Sequence, residues 1–196
     1  MNIKSFFGRS GLLTLAVLAS LQFAGCASVT LPTPSGTAGN VEKLKASGLA
    51  PMGTGEFKAA PGKAAEADKG LSVRGSNTLS PAQGSFALQL RDQLAAELKA
   101  AGMLAPNGSI VVSGTVTDNA LEAGMSTGTA RLAAKFEVRR DGKMVYSKEL
   151  AASAQWESSF VGAVAIPAAF NQYGAVYQSL IGKLLDDADF RAAVKR

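Results

Sequence analysis

The chain has 196 residues, enough for one domain or a small pair, with 20 basic residues (Lys and Arg) against 15 acidic ones. Hydrophobic residues make up 47% of it and charged residues 18%, so a packed core is expected and wholesale disorder is excluded. The sequence has no histidine and a single cysteine. These counts exclude a Ser-His-Asp or Cys-His catalytic site, a histidine-ligated metal site and a disulfide within the chain.

The first 25 residues predict a secretory signal. Lys4 and Arg9 form a basic start, and an uncharged, leucine-rich run follows from Ser10 to Gly25. This run has the length of the apolar region of a signal peptide and is too short to span a membrane comfortably. Residues 1–25 are therefore interpreted as a signal peptide.

The residues around the cysteine make this signal more specific. The run Phe23-Ala24-Gly25-Cys26 resembles the lipobox of bacterial lipoproteins, in which two small residues precede a cysteine, although Phe23 stands where leucine is usual. The resemblance implies cleavage before Cys26, a lipid on its sulfur and acylation of the new N-terminus. Ala27 occupies the place where aspartate retains lipoproteins in the inner membrane, which implies an outer-membrane lipoprotein facing the periplasm. The alternative is an ordinary signal peptide that leaves Cys26 as a free thiol.

The mature chain has a mild charge and begins with a segment that favours a tether. Removal of residues 1–25 leaves 18 basic residues against 15 acidic ones, too small an excess to indicate nucleic acid as a partner. Ala27–Asn40 is rich in Pro, Thr, Ser and Gly and has no periodicity. Residues 26–50 are therefore predicted to be the lipidated N-terminus and a flexible tether, and residues 51–196 a single domain. Stable attachment requires more than one lipid chain.

One helix is predicted from its boundary signals. Ser80 is expected as the N-cap, with Pro81 at the first helical position, and Gly102 is expected to end the helix. Between them, large apolar residues recur every four positions and predict one buried stripe. The stripe comprises Phe86, Leu90, Leu94 and Leu98.

Three strands are predicted after this helix. In the second of them, apolar residues over Ala130–Val138 alternate with polar and charged ones, so one sheet face is buried and the other is wet. Arg140–Gly142 then predicts a turn. A three-residue loop that pairs Val138 with Met144 and Phe136 with Tyr146 is preferred over a two-residue turn, because it buries more apolar surface.

A long uncharged stretch runs from Ser158 to Gly182. Its length would allow a membrane span, but Pro167 divides it, and the spacing of its apolar residues favours a buried helix of a folded domain. The acidic residues over 186–189 are expected to end or recap that helix. The polar residues inside the stretch include Asn171, Gln172 and Gln178.

The order of predicted elements indicates an α+β fold. A strand, a helix, three antiparallel strands and a helix form a two-layer sandwich, in which two main helices cover one face of a small, mostly antiparallel sheet of about four strands. Over Pro51–Arg196 this order resembles that of small envelope lipoproteins such as the lipopolysaccharide-assembly lipoprotein LptE and the ABC-transport auxiliary lipoproteins, and that of the TolB N-terminal domain. Trp156–Gly162 with Ile166-Pro167 also resembles uncharacterised proteobacterial lipoproteins.

The candidate patterns for catalysis and metal binding are incomplete. No serine is followed three residues later by lysine, and Gly62-Lys63 lacks the other residues of a P-loop. Asp186, Asp187 and Asp189 lack the glycine and the distal glutamate of an EF-hand loop. We therefore expect no enzyme, no metal site and no cofactor besides the covalent lipid on Cys26.

Basic residues on the wet face of the second strand could serve recognition. Arg131, Lys135 and Arg139 share that face and could meet an anionic lipid or glycan. Glu137 interrupts the row, so a solvated sheet face is the simpler interpretation.

The connection after the third strand is more apolar than connections usually are. It either completes the core beneath the last helix or forms an exposed docking surface, and the sequence leaves both alternatives open. Its candidate interaction residues are Trp156, Phe160, Val161, Val164 and Ile166.

Three functions are compatible with these observations. The first is a non-catalytic binding or accessory subunit of an envelope transport or assembly machine, attached to the membrane by its lipid and bound to an envelope protein. The second is a structural lipoprotein that associates with itself through the apolar connection. The third is a hydrolase that uses carboxylates.

Overall fold

A computed structural model describes residues 28–75 and 77–196. The predicted signal peptide and Cys26 lie outside the described residues. The secondary structure in chain order is β1 (Ser28–Thr30), α1 (Ala38–Ala46), β2 (Gly53–Ala59), α2 (Lys63–Ala67), β3 (Leu71–Val73), β4 (Asn77–Ser80), α3 (Phe86–Ala100), β5 (Ile110–Ala123), β6 (Thr127–Arg140), β7 (Lys143–Glu157), α4 (Gly162–Asp186) and α5 (Ala188–Ala193).

The main sheet has four strands in the order β2-β5-β6-β7. β5, β6 and β7 pair in antiparallel fashion, and β2 lies parallel to β5 at one edge. The helices α3 and α4 pack on one face of this sheet, so the predicted two-layer α+β sandwich is confirmed. A second sheet of three short strands, β1-β4-β3, was not predicted.

Helix α3 has the predicted stripe and a different beginning. All four stripe residues are fully buried, but Ser80 is the last residue of β4, where its carbonyl accepts a hydrogen bond from the Leu31 N–H. The helix begins six residues later, and Ser85 is its N-cap, with Oγ accepting from the Leu88 N–H at 3.2 Å. The predicted cap at Ser80 was wrong because strand pairing holds that residue in an extended conformation.

The C-terminal end of α3 is as predicted. Gly102 has φ +72°, the left-handed conformation that glycine adopts without steric cost. The Met103 N–H then donates to the Leu98 carbonyl at 2.8 Å, the long hydrogen bond of a Schellman motif.

The turn between β6 and β7 differs from the prediction. Asp141 and Gly142 have φ of +52° and +77°, which makes a two-residue turn. A bulge follows, so that Val138 lies opposite Tyr146 instead of Met144. The predicted three-residue loop was wrong because one extra residue in β7 shifts the register, and this shift buries the Tyr146 ring.

The predicted tether over 26–50 also differs from the structure. Leu31 is buried in the core, and the side-chain amide of Gln89 donates to the Pro32 carbonyl at 3.0 Å. Further along, Gln93 donates to the Ser35 carbonyl at 2.9 Å. From Ser28 onward this segment therefore packs against the domain, because its main-chain groups find partners on α3 and β4.

Helix α4 spans 25 residues and runs through Pro167 without a break. Its apolar stripe is buried against the sheet, as predicted, and Asp187 both ends α4 and caps α5. Among the described residues, none of the helices combines the length and the apolar composition that a membrane crossing requires. The stripe comprises Phe170, Tyr173, Tyr177, Leu180, Ile181 and Leu184.

Candidate interaction surface

The five candidate residues of the apolar connection divide between core and surface. Trp156 and Ile166 are half-buried and pack against the core. Phe160, Val161 and Val164 are exposed, with 76%, 56% and 60% of their surface accessible. Each of the two alternatives left open by the sequence therefore holds for part of the segment.

Trp156 fixes the strand that leads into this surface. It lies opposite Gly128 in the β6–β7 ladder, and a Cβ added at Gly128 would come within 2.2 Å of the indole ring. Only glycine leaves room for the ring at that position. The indole therefore covers the start of β6 and holds β7 in place directly before the connection.

A fourth exposed apolar residue comes from the neighbouring turn between β5 and β6. Met125 is 72% exposed, and its turn is tied to the connection because the Ser158 N–H donates to the Ser126 carbonyl at 2.9 Å. The sequence analysis missed Met125, since no periodicity marks a single methionine in a turn.

Arg74 joins the two loops. Its Nε donates to the Ala123 carbonyl at 2.7 Å and its Nη2 to the Gly124 carbonyl at 2.7 Å. The same guanidinium reaches across to the connection, donating to the Ser159 carbonyl at 2.6 Å and the Phe160 carbonyl at 3.0 Å. Four main-chain acceptors on two loops thus share one side chain, which fixes the loops relative to each other.

The backbone of Arg74 is itself unusual. Its φ is +49°, in the left-handed region that costs a residue with a Cβ about 1–2 kcal/mol. Strain of this kind persists only where the surroundings hold it, and here the four carbonyls do so. No sequence pattern marked this residue.

Strand β1 completes the surface. Val29 is 38% exposed and lines an apolar groove of about 420 Å³ with Ile166 and Pro167 of α4. We call the exposed apolar residues at this end of the molecule the apolar tip. It consists of Val29, Met125, Phe160, Val161 and Val164.

The aspartates at the α4–α5 junction are engaged within the chain. Lys148 Nζ lies 2.6 Å from the Asp187 carboxylate and 3.0 Å from that of Asp189, and Lys43 pairs with Asp186. Burial alone would raise the pKa of Asp187, but the hydrogen bonds from Lys148 and from the Phe190 N–H outweigh it and hold that pKa below its ordinary value. The described residues contain no cluster of three or more metal-ligating side chains.

The basic residues of the wet sheet face also have partners. Arg131 pairs with Asp118 at 2.9 Å, and Lys135 pairs with Glu137 at 3.0 Å. Arg139 donates to the Gly142 carbonyl. These contacts fit a solvated face better than an open anion site.

A buried polar chain links α4 to the sheet. Tyr173 donates to the Asn119 side chain at 2.6 Å and contacts the Tyr177 hydroxyl at 3.1 Å. Burial raises the pKa of both tyrosines well above the ordinary value, so both stay neutral. They are hydrogen-bonded core residues, and they give no reason to place an ionised group or a functional site there.

One run has the spacing of a serine-hydrolase motif without its structure. Gly124-Met125-Ser126-Thr127-Gly128 matches G-x-S-x-G, yet it lies in the turn and first residues of an antiparallel hairpin. The hydrolase motif needs a strand-to-helix turn and a base to activate the serine, and the chain has no histidine. The spacing therefore carries no catalytic assignment.

Comparison with known proteins gives a fold and no close relative. No protein-family model matches the chain, and no curated protein matches it. The structure is similar to that of protein XCC0632 from Xanthomonas campestris, described with the family DUF330, with a TM-score of 0.54 and 16% identity over 82% of this chain and 95% of that one.

Two further solved structures are more distant. A putative lipoprotein from Caulobacter crescentus gives a TM-score of 0.44, with 16% identity over 80% of this chain and 96% of that one. A minor lipoprotein from Acinetobacter baumannii gives a TM-score of 0.42, with 14% identity over 71% of this chain and 90% of that one. What the comparisons establish is that this chain shares its α+β fold with the Xanthomonas protein.

Proposed function

We propose that this chain is a lipid-anchored, non-catalytic binding module of the bacterial envelope, which touches an envelope component through the apolar tip. The observation that carries the proposal is the exposure of apolar side chains from three separate segments at one end of the domain. Clustered exposed apolar residues on a soluble domain mark contact surfaces. Isolated ones need no explanation.

The way in which the tip is held supports a contact role. A connection that only closed the core would turn Phe160 and Val164 inward, yet both side chains point to solvent while Trp156 and Ile166 do the packing. Arg74 fixes the two loops before any partner arrives. Pre-organisation of this kind lowers the entropy lost on binding.

The lipid on Cys26 is the second part of the proposal. It makes the chain an outer-membrane lipoprotein with its domain in the periplasm, and the proposal includes no covalently attached group or cofactor other than this lipid. Replacement of Cys26 by serine is expected to give an unlipidated chain that leaves the membrane fraction on washing, because one weak contact does not replace two or three acyl chains. Fractionation of envelopes measures this, and a serine variant that stays bound after washing would contradict the anchor.

The contact role of the tip is tested in the same serine background. Phe160→Asp should abolish the residual association of the unlipidated chain with isolated envelopes, since a charge on an apolar surface must be dehydrated when the contact forms. Val145→Asp, which alters an exposed valine near the start of β7 at the opposite end of the β6–β7 hairpin, is the matched control and should bind as the parent does. Equal binding by all three chains would remove the tip from the proposal.

The finer role of accessory subunit needs a different experiment. Envelopes that carry the lipidated chain are crosslinked, and the chain is recovered with its adducts for mass spectrometry. Reproducible recovery of a protein of a transport or assembly machine is expected. Recovery of adducts between copies of this chain alone would favour the self-associating structural lipoprotein instead.

A further inference from the structure

We infer that the apolar tip contacts the lipid bilayer itself, at the boundary between headgroups and acyl chains of the leaflet that holds the Cys26 lipid. The inference rests on the lipid anchor proposed above and identifies what the apolar tip touches. The domain would then lie directly on the membrane instead of hanging from a long tether.

The first argument is where the chain enters the domain. β1 begins at Ser28 and runs parallel to β4, with Ser28 opposite Thr78 and Val29 opposite Leu79. Only Ala27 separates Ser28 from Cys26 in the sequence. Two residues span at most about 7 Å, so the lipidated residue stays close to Val29, which is itself part of the tip.

The second argument is that the entry point is held. The Leu31 N–H donates to the Ser80 carbonyl at 2.9 Å, and the carbonyls of Pro32 and Ser35 accept from the amides of Gln89 and Gln93. A free linker of some twenty residues would let the domain adopt any orientation. A segment bonded to β4 and α3 places the tip, and no other face, next to the anchor.

The third argument is that main-chain carbonyls of the two loops that carry the tip already have hydrogen-bond partners within the chain. Acyl chains offer no hydrogen-bond donors, so loops that enter them must satisfy their own polar groups. Arg74 does this for the carbonyls of Gly124, Ser159 and Phe160 and for that of Ala123. A protein partner could supply such donors from its own surface, whereas a bilayer could not. The Arg74 contacts therefore favour lipid as the occupant.

The charge around the tip indicates which lipids it would meet. Its side chains are uncharged. Beside it, the exposed acidic residues Glu122 and Glu157 at the strand ends outnumber the one half-buried cation between the loops, Arg74. Attraction to anionic headgroups is therefore not expected. We expect insertion into zwitterionic and anionic bilayers alike, with little dependence on salt, in contrast to the salt-sensitive binding of a basic surface.

The test uses the full lipidated chain in vesicles, and the single native cysteine allows a probe to be attached at one chosen position. Because the anchor blocks the Cys26 sulfur, Val161→Cys supplies the only free thiol, which can carry an environment-sensitive fluorophore. The matched control carries the same label at Val145, an exposed valine at the other end of the β6–β7 hairpin. Vesicles of phosphatidylcholine, with and without a fifth of phosphatidylglycerol, are compared, and brominated phosphatidylcholine serves as quencher.

We expect the probe at Val161 to shift to the blue and to be quenched by brominated lipid in both vesicles, and the probe at Val145 to do neither. Adding Phe160→Asp to the chain labelled at Val161 should reduce the quenching about tenfold while the chain still floats with the vesicles. Circular dichroism shows whether that variant keeps its fold. Val164→Asp gives a second, independent disruption of the tip.

Other outcomes separate the inference from the proposed function. A chain that does not float with vesicles, and whose Cys26 accepts the label, would refute the anchor. A chain that floats with both probes equally exposed to water would overturn the inference and leave the anchor intact. If the probe at Val161 were shielded in native envelopes but not in lipid vesicles, a protein would be the occupant, and the inference would be wrong. Quenching only in anionic vesicles at low salt would also overturn it.

Discussion

Glu97 is a buried acidic side chain of α3 that binds the N-terminal segment through hydrogen bonds. Its carboxylate is fully buried and accepts hydrogen bonds from the Thr37 N–H at 2.7 Å, the Thr37 hydroxyl at 2.7 Å, Asn40 at 3.2 Å and Gln93 at 3.0 Å. All these donors are neutral. A buried carboxylate can be tolerated when several hydrogen bonds replace its hydration, so Thr37 and Asn40 are held against α3.

Removing this carboxylate should destabilise the domain. Glu97→Ala leaves the Thr37 N–H and hydroxyl without an acceptor and takes one of two acceptors from the side-chain amides of Asn40 and Gln93. It is expected to lower the free energy of unfolding by roughly 3 kcal/mol. Glu97→Gln keeps one acceptor and turns the other into a donor facing donors, so an intermediate loss is expected. Urea unfolding followed by circular dichroism measures both. Glu42→Ala, at an exposed site on α1, serves as control and should change stability by less than about 0.5 kcal/mol.

Arg74 gives a second prediction at this scale. Arg74→Lys keeps the charge, but one ammonium cannot reach four carbonyls on two loops. We expect the connection at 158–162 to become more accessible, with faster cleavage by proteases there and a small loss of global stability. Limited proteolysis with mass mapping of the fragments measures this. Lys69→Arg is the control, because Lys69 is a long cation bonded to a single carbonyl, and it should leave the cleavage pattern unchanged. An unchanged pattern for Arg74→Lys would mean that the guanidinium is dispensable.

At the scale of elements, the junction between α4 and α5 depends on Asp187. Its side chain caps α5 by accepting from the N–H groups of Asp189 and Phe190 at 3.1 and 3.0 Å, and it pairs with Lys148. Because the pKa of Asp187 is lowered in the folded state, its charge stabilises the fold above the unfolded pKa, near 3.8. That stabilisation is lost as the pH falls through the lower folded pKa.

Two substitutions separate the cap from the charge. Asp187→Asn keeps an N-cap acceptor and loses the charge, so it should be less stable than the parent at pH 7, and this deficit should shrink as the pH is lowered to about 2. Asp187→Ala also loses the cap and should stay about 1 kcal/mol less stable than Asp187→Asn at both values. Chemical denaturation at the two pH values measures these differences. A deficit of Asp187→Asn that does not change with pH would contradict the role of the charge.

The elements also show what local sequence determines. The buried stripes of α3 and α4 and the alternation in β6 were predictable, because each depends only on the period of its own apolar residues. The start of α3 was not, since Ser80 is held by pairing with a strand far away in the sequence. Nor was the β7 register, because nothing in Met144 or Val145 marks a bulge.

The same distinction applies to the apolar tip. Phe160, Val161 and Val164 were found as a contiguous apolar run in a connection, whereas Met125 and Val29 come from other parts of the chain and join them only through the fold. Whether the run was core or surface could not be decided from its composition. Arg74, which holds the two loops, lies more than 80 residues from the connection it stabilises.

At the scale of the whole molecule, the hairpin of β6 and β7 separates two ends. β6 has 14 residues and spans about 45 Å at the usual rise per residue. The apolar tip lies at the end where β6 begins, and Met144 and Val145 are the exposed apolar residues at the other end. With the tip on the membrane, that second end would point away from the bilayer, which is why Val145 serves as the control position for the tip.

The N-terminal segment decides whether this orientation is fixed, and truncation tests it. A chain that begins at Ser28 keeps the segment. A chain that begins at Val41 lacks the buried Leu31 side chain and the pairing of β1 with β4. Of the hydrogen bonds to Glu97, it keeps the one from Gln93. We expect the shorter chain to be less stable by roughly 3–6 kcal/mol, from one large apolar side chain and several hydrogen bonds. Urea unfolding of the two chains measures the difference.

The same pair of chains distinguishes a docked segment from a tether. If the segment is docked as described, Glu97→Ala should cost roughly 3 kcal/mol in the chain from Ser28 and less than about 1 kcal/mol in the chain from Val41, because in the latter most of its partners are already gone. Leu94→Ala, which truncates a fully buried side chain of α3, should cost about 2–5 kcal/mol in both. Equal costs of Glu97→Ala in the two chains would mean that residues 28–40 contribute nothing to the fold. The anchor would then hold the domain by a free linker, with no preferred face toward the membrane.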